Sequence, residues 1–564
     1  MAETLISPGA LTRENDLSQV TQQPVTVGAA IIGPTVKGPV EVPTLVTTYN
    51  DFVNKFGTTV VSGSDKYSFM TSISAYNYFQ NGGTSLLVTR VVNGTYTSAT
   101  SSAVNGTGAV NVLTLETIAQ GADQNSESTE GTNASLPSGS QDNLRWEIAS
   151  PDTSSGTFSL LVRRGDDLSN NKVILETWNN VSLDPKADNF ISRVIGDQKE
   201  TYSSGNNQVE ITGAYPNRSR YIRVSSVTTT PDYFDNNGDA KASYTGSIPS
   251  ASTGAFGGAS GAIVAGANFY DTVTTDNIQG LSGSDYTNMI SLLANKDDYQ
   301  YNILSLPGLT LENASSQVTT AATNCRERGD AILLIDPINY NNATVAKAVT
   351  QAAGIDNSYG AAYWPWVQII DPGTGKQVWV PAATLVAGVY AFNDATTAAW
   401  FAPAGINRGG LSLVTRAQFK LTAANRDTLY TGNINPVATF PNTGVVVYGQ
   451  KTLQKKSTAL DRVNVRRLLI ELKSFIGQVA NTLVFEQNTQ ATRNNFLAQV
   501  NPYLESVQQR QGLYAFKVQM DDTNNTADVI DRNQLVGQIF LQPTRTAEFI
   551  LLDFNVLPTG ATFE

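Results

Sequence analysis

The chain has 564 residues and a formal net charge of −11, with 41% hydrophobic and 15% charged residues. The length exceeds one core and predicts about three or four domains. The 21 Phe, 22 Tyr and 6 Trp exclude a disordered chain, and the acidic balance excludes a general nucleic-acid binder, which needs a basic face to displace counterions.

Histidine is absent and Cys325 is the single cysteine. That excludes His-ligated and thiolate metal clusters, Ser-His-Asp and Cys-His machinery and an intramolecular disulfide. No cofactor or metal is expected, and no enzymatic activity. Low charge with abundant Thr, Ser, Asn and Gly predicts β-rich surfaces that neighbouring molecules cover. The start Met1-Ala2-Glu3-Thr4 lacks the basic and apolar segments of a secretory leader, so none is expected. No stretch approaches the roughly 20 apolar residues of a membrane span.

Residues 1–22 read as an arm, with a turn at Ser7-Pro8-Gly9. Val25 to Gly33 suits a buried strand, Tyr49 to Phe56 a short helix ending at Gly57, Tyr67 to Phe79 a second helix, and Ser85 to Val92 a strand. From 93 to 265 Gly, Ser, Thr and Asn dominate, and strands such as Phe158–Arg163 and Tyr221–Val227 alternate with turns, predicting a β-rich insertion of one or two lobes. From 266 to 442 helix and strand alternate: Asp285–Ala294, Asn302–Pro307, Val318–Arg328, Ala331–Ile335 and Thr344–Ala353. That alternation predicts a largely parallel sheet. The domain from 443 to 548 opens with a strand at Gly444, continues with a long helix over Ala459–Glu486, and ends in strands at Tyr514–Met520 and Gln538–Leu541. A closing strand and arm occupies 549–564. The predicted class is α/β and α+β multidomain: a core in two parts (23–92 and 266–442), the insertion, a C-terminal α+β domain and two arms.

Asp371-Pro372-Gly373-Thr374-Gly375-Lys376 looks like a phosphate loop, but a P-loop needs glycine where Ile370 stands and a hydroxyl where Gln377 stands. Its strand-like flanks predict a hairpin. The acidic pairs Asp166/Asp167, Asp297/Asp298 and Asp521/Asp522 sit in polar turns and read as solvated. On the predicted helix near Ala459, Val465, Leu468, Leu472, Phe475, Ile476, Val479 and Leu483 form an apolar stripe. Arg462, Arg466 and Lys473 fall within about 40° of one another on another flank. That row is either a solvated face or a docking surface for an acidic partner. The run Phe549-Ile550-Leu551-Leu552-Asp553-Phe554-Asn555-Val556 pairs within its own chain or adds to a neighbour's sheet edge.

Several blocks resemble the contractile phage tail sheath family. They are Ser7 to Glu14; Gly33-Pro34, Lys37-Gly38-Pro39 and Phe52 to Gly57; Tyr78 to Gly83; Cys325 to Asp330 leading into Leu334-Ile335-Asp336-Pro337; and Tyr363-Trp364-Pro365-Trp366 through Trp379-Val380-Pro381 to Tyr390. Trp400 to Gly405 and the closing Pro558-Thr559-Gly560 extend the order. The resemblance implies a structural subunit that polymerises as stacked, hexameric rings around a tail tube. The sleeve would contract to drive the tube through the host envelope for genome delivery. It implies an outward-facing insertion and a tube-proximal C-terminal domain with Arg462, Arg466 and Lys473 as tube contacts. It implies arms that exchange strands between subunits, mapped onto Ser7, Leu11 and Arg13 at one end and Phe549, Leu551, Phe554 and Val556 at the other. Tail tube, baseplate and tail terminator proteins are the implied partners, without direct nucleic-acid contact or membrane insertion. The implied location is the virion tail, assembled in the host cytoplasm. A bacterial contractile injection device obeys the same physics. The Thr/Asn-rich insertion leaves a surface-binding, adhesin-like reading, against which the α/β halves argue.

Overall fold

A computed structural model describes residues 27–106, 110–262, 267–441 and 443–549. An eight-stranded sheet organises the larger part. Its order is Thr44–Val46, Leu86–Arg90, Val27–Gly33, Tyr301–Thr310, Ile332–Asp336, Gly360–Trp364, Ile434–Phe440 and Gly444–Val447. The six inner strands pair in parallel and the two edge strands antiparallel. Ile332-Leu333-Leu334-Ile335 is buried throughout, as a parallel strand covered on both faces must be. Helices Met70–Gln80 and Ala383–Thr396 pack on each other and on the sheet, while Ser315–Arg328 packs on the sheet and on Thr287–Leu292, and Val345–Ala352 packs on Ala423–Thr431. Gly388 lets the first pair close: a Cβ there would meet Asn77 Nδ2 at 2.2 Å. One continuous core draws residues from both sides of the insertion, from Ala29 to Ile470.

The insertion leaves the sheet after Leu86–Arg90 and returns before Tyr301–Thr310. A three-stranded sheet (Ser98–Val104, Asn111–Gln120, Ile222–Val227) and a four-stranded sheet (Leu144–Asp152, Thr157–Arg164, Ile174–Ser182, Ser252–Ala255) share one core around Trp146, Leu160, Val162, Leu115 and Phe256. These two sheets form one sandwich-like unit, while the hairpin Lys199–Ser203 with Gln208–Thr212 sets Tyr202 and Val209 on the main core.

Arg145 and Arg163 face each other in cross-strand register, both fully buried. Two like charges so placed repel. Asp167 resolves the conflict: it accepts from Arg163 Nε and Nη2 at 2.8 and 2.9 Å and from Arg145 Nη1 at 3.3 Å. Asp167 is thus a buried counter-ion, not a solvated turn acid. Sequence proximity to Asp166, which is partly exposed, hid that difference. Removing Asp167 would leave two buried cations short of a partner, a loss of about 3–5 kcal/mol.

Arg90 fastens the insertion to the core. It is buried and donates to the carbonyls of Gly38 (2.7 Å), Val36 (3.3 Å) and Gln120 (2.7 Å), the last in the insertion. Gln120 returns a bond from its N–H to Gly38 O (3.1 Å), and its Oε1 accepts from the Val40 N–H (3.1 Å).

Two boundaries differ from the sequence reading. Gly444–Val447 pairs with Ile434–Phe440 and closes the main sheet, so the expected division at 443 cuts a hairpin. The chain stays on the core through Leu453, whose N–H bonds Gly360 O at 2.9 Å. The expected helix over Ala459–Glu486 is Val463–Asn481, preceded by one 3-10 turn. A second helix, Gln490–Gln509, follows it. Its Phe496, Val500, Leu504 and Val507 complete a third core with Leu468, Leu472, Val479 and Trp400. These four apolar positions keep helical spacing, but Asn- and Gln-rich surroundings and Pro502 obscured it.

Asp336 closes its strand with the carboxylate against the start of helix Ala383–Thr396, where Ala383 N–H donates to Oδ1 at 3.0 Å. Burial pushes the carboxyl up to about 8, against the opposing pull of the Ala383 and Ala382 N–H groups. An unfolded carboxyl titrates near about 4. Between those values the folded chain holds a proton that the unfolded chain has released, so this group's contribution to stability falls as pH rises. Asp336→Asn is expected to flatten the dependence of melting temperature on pH between about 5 and 8. A variant curve parallel to the parent's would contradict this.

Candidate functional site

In open parallel sheets ligands bind where the strand order reverses. Here the reversal lies between Val27–Gly33 and Tyr301–Thr310. Phe69, Ile278 and Leu281 are buried, Ile278 beside Gly308 of the second strand, and Gln279 Oε1 accepts the Met70 N–H at 3.2 Å at the start of the adjoining helix. A Cβ on Gly308 would touch Met70 Sδ and Ile278 Cγ2 at 3.3 and 3.4 Å. Beside strand Leu86–Arg90 a cavity of about 20 Å³ is lined by residues including Thr35, Arg90 and Tyr96, room for about one water. Asp371–Lys376 forms the hairpin turn between Val367–Ile370 and Gln377–Val380. Cys325 is buried, which pushes its thiol up to about 12. Among the described residues no cluster of three His, Cys, Asp or Glu could hold a metal ion. No helix among them is long and apolar enough to cross a membrane.

The remaining candidate is the C-terminal module. Helix Val463–Asn481 sets Leu468, Leu472, Phe475, Ile476 and Val479 against the third core, and Leu483, just past its end, joins them. The basic row does not lie open beside it. Arg466 is 4% exposed; its guanidinium sits 4.0 Å from the Tyr359 ring centre and donates to Ser358 Oγ at 2.5 Å. Arg462 donates to Glu548 through Nε (2.7 Å) and Nη2 (3.0 Å) and pairs with Asp461 at 3.0 Å. Only Lys473 is exposed, with Nζ 3.3 Å from Tyr359 Oη. Helical phase put three cations on one flank; partners on the core bury Arg466 and engage the half-buried Arg462.

Arg467 is the anchor that sequence reasoning missed. It is buried, forks onto both Asp394 oxygens at 2.8 and 2.5 Å, and lies 4.6 Å from the Tyr390 ring centre. Its place one turn after Val463, on the buried side, was the available signal. Arg466 and Arg467 together tie the helix to two separate parts of the core.

A hairpin of Leu513–Gln519 and Gln538–Pro543 completes the module. Phe516, Val518, Ile539 and Leu541 pack inward on the helices, whereas Tyr514 and Phe540 are exposed. Among the described residues each strand pairs only with the other, so both outer edges present unpaired backbone groups. Just beyond, Glu548 fixes the direction in which the chain leaves. It accepts from Arg462, from Tyr430 Oη (2.7 Å) and from Gln450 Nε2 (3.0 Å). Burial opposes ionisation, but the bonds from Arg462, Tyr430 and Gln450 hold its carboxyl below the ordinary range. Phe549 follows, 84% exposed. Ser7, Leu11, Arg13, Leu551, Phe554 and Val556 lie outside the described residues.

Residues 279–453 match the phage tail sheath protein central domain, and residues 455–556 match the phage tail sheath C-terminal domain. The junction falls where the chain leaves the sheet after Leu453. The chain is 39% identical over 233 residues to the tail sheath protein of Vibrio phage KVP40, covering 41% of this chain and 33% of that protein. It is 40% identical over 186 residues to the tail sheath protein of Enterobacteria phage T4, covering 33% of this chain and 28% of that one. These matches span about a third of the relatives' length. The crystal structure of a sheath tail protein from Listeria innocua shares the fold, with a TM-score of 0.53 at 9% identity over 92% of this chain and 95% of that one.

Glu548→Ala would strip Arg462, Tyr430 and Gln450 of a shared acceptor. The expected outcome is a loss of about 1–3 kcal/mol and faster proteolytic cleavage after Phe549 in a limited-digestion time course. Unchanged melting and unchanged cleavage would show that the carboxylate does not hold this segment.

Proposed function

We propose that this chain, a member of the contractile tail sheath family, is the repeating subunit of a sleeve that polymerises around a tail tube and shortens to drive the tube through a host envelope. The observation that carries the reading is the two-stranded hairpin of the C-terminal module, whose outer edges pair with no other strand among the described residues and whose inner face packs on two helices. An extended arm of another copy can add a strand to either edge, because main-chain hydrogen bonds give affinity without a demanding side-chain sequence. The arms assigned to this role are residues 1–17 and the segment beginning at Phe549.

Such a sleeve must let subunits slide without parting. Strand-exchanged arms supply the permanent link, while rigid cores trade one set of contacts for another. A few kcal/mol per subunit, shared along the lattice, biases the whole sleeve toward the short state. Other copies, the tube protein, baseplate and terminator proteins are the partners, and the virion tail is the location. Lys473 is the tube contact that stays accessible. Arg462 and Arg466 serve instead to set the module on the core.

Two experiments test the proposal. The purified chain should form tubular polymers in electron micrographs, and deletion of residues 1–17 should abolish them. Ordered sleeves from the truncated chain would remove the arm from the mechanism. Lys473→Glu should leave folding intact and weaken co-sedimentation with the tube protein, most strongly at low salt. Equal co-sedimentation across the salt series would count against the contact.

A further inference from the structure

Where the insertion meets the core, a cleft of about 370 Å³ opens. Six cations line it: Lys37 and Lys55 from the core, and Lys199, Arg218, Arg220 and Arg223 from the insertion. Only three carboxylates line it with them, Glu116, Asp142 and Glu200, in a chain whose formal charge is −11. The anions present are shared. Glu116 serves both Arg223 and Lys199, the latter at 3.5 Å. Asp142 lies 3.3 Å from Lys37. Asp51, beside the cleft, serves Lys55 at 3.1 Å and Arg220 only at 4.0 Å. Burial pushes the Glu200 carboxyl above its ordinary range, which weakens it as a counter-ion. Arg218 and Arg220 are exposed at the rim. Glu176 accepts the Arg220 N–H at 2.9 Å at the same rim, and even with it the cations outnumber the carboxylates around the cleft among the described residues.

The same insertion carries a complementary feature elsewhere. Phe234 and Ala240 bridge the base of a tight turn, Asp235-Asn236-Asn237-Gly238-Asp239, all exposed. Asp235 Oδ1 accepts the N–H groups of Asn237 (2.8 Å) and Asp239 (3.0 Å), so the turn is preorganised. Neighbouring Asp232 is taken up by Lys186 at 2.7 Å. The tip thus offers two carboxylates, Asp235 and Asp239, with exposed Phe234 at its base.

Cleft and tip lie at opposite ends of the strand Leu144–Asp152. Leu144 lines the cleft, while Tyr233, next to the tip, donates its hydroxyl to Thr153 O at 2.7 Å, just past the strand's far end. Eight residue steps separate those ends by roughly 26 Å, so a tip cannot reach its own cleft. We infer that the acidic tip at Asp235–Asp239 of one copy docks in the basic cleft at Arg218 and Arg220 of the next. Such a contact joins two different patches of the same chain. It is heterologous, and a heterologous contact propagates into rings or helical arrays. It rests on the sleeve reading for its biological setting, but not for its chemistry.

Two measurements test it. In the first, polymerisation is followed by sedimentation at about 0.05 M and about 0.5 M salt. Arg218→Glu/Arg220→Glu should raise the chain concentration needed for polymer roughly tenfold. Asp235→Asn/Asp239→Lys should do the same, with Asn keeping the Oδ1 that holds the turn. All four substitutions in one chain, which swap the charges, should restore assembly. Unchanged assembly in the separate variants, or failure of the swap in a chain that melts like the parent, overturns the inference. In the second, a synthetic peptide of residues 231–241 is titrated into the full chain below its polymerising concentration. Saturable binding that Arg218→Glu/Arg220→Glu abolishes supports the contact. Absent binding, or equal binding by a peptide with both aspartates replaced by asparagine, overturns it. Because the titration needs no polymer, a parent chain that never polymerises would sink the sleeve reading while the docking contact is still decided.

Discussion

Parallel pairing between Val27–Gly33 and Tyr301–Thr310, with Ala29 opposite Ile303 and Ile31 opposite Ser305, is the contact on which the molecule depends. It joins two parts of one core that the whole insertion separates in sequence. Loop-closure entropy grows only logarithmically with length, and the insertion has its own core of Trp146, Leu160 and Phe256, so the long excursion costs the sheet little. Once that pairing forms, strands on both sides are buried on both faces.

Scarce charge is used for joints. Arg90 ties the insertion to the core, Arg145 and Arg163 with Asp167 hold two strands of the insertion, and Arg467 with Asp394 seats the C-terminal helix. Each guanidinium is buried and forked onto several acceptors, the geometry that offsets desolvation. Such joints tie separate segments of one chain to one another. What stays open lies at the periphery: hairpin edges, the exposed tip at Asp235–Asp239 and the basic cleft.

The elements with strong local patterns were legible. Ile332–Asp336, the hairpin around Gly373 and the stripe on Val463–Asn481 follow from apolar runs and turn residues that act over a few positions. Residues Gln490–Gln509 were not legible as a helix because their apolar face is only one side of a polar segment. The roles of Asp167, Arg466 and Arg467 were hidden for another reason: helical phase and turn composition say where a side chain starts, not which groups from distant segments it meets. Ser358, Tyr359 and Asp394 reach the helix only through the sheet.

By itself, the amino-acid order determined the alternation of helix and strand, the separate character of residues 93–265 and the absence of histidine chemistry, since these depend on composition and short-range periodicity. Only the tertiary structure decided which charges are joints and which are surface, where the insertion fastens, and that the main sheet extends through Gly444–Val447. Burial and ion pairing depend on contacts between residues that are often tens of positions apart or more, such as Arg467 with Asp394 and Arg466 with Ser358, and a linear pattern carries no record of those contacts.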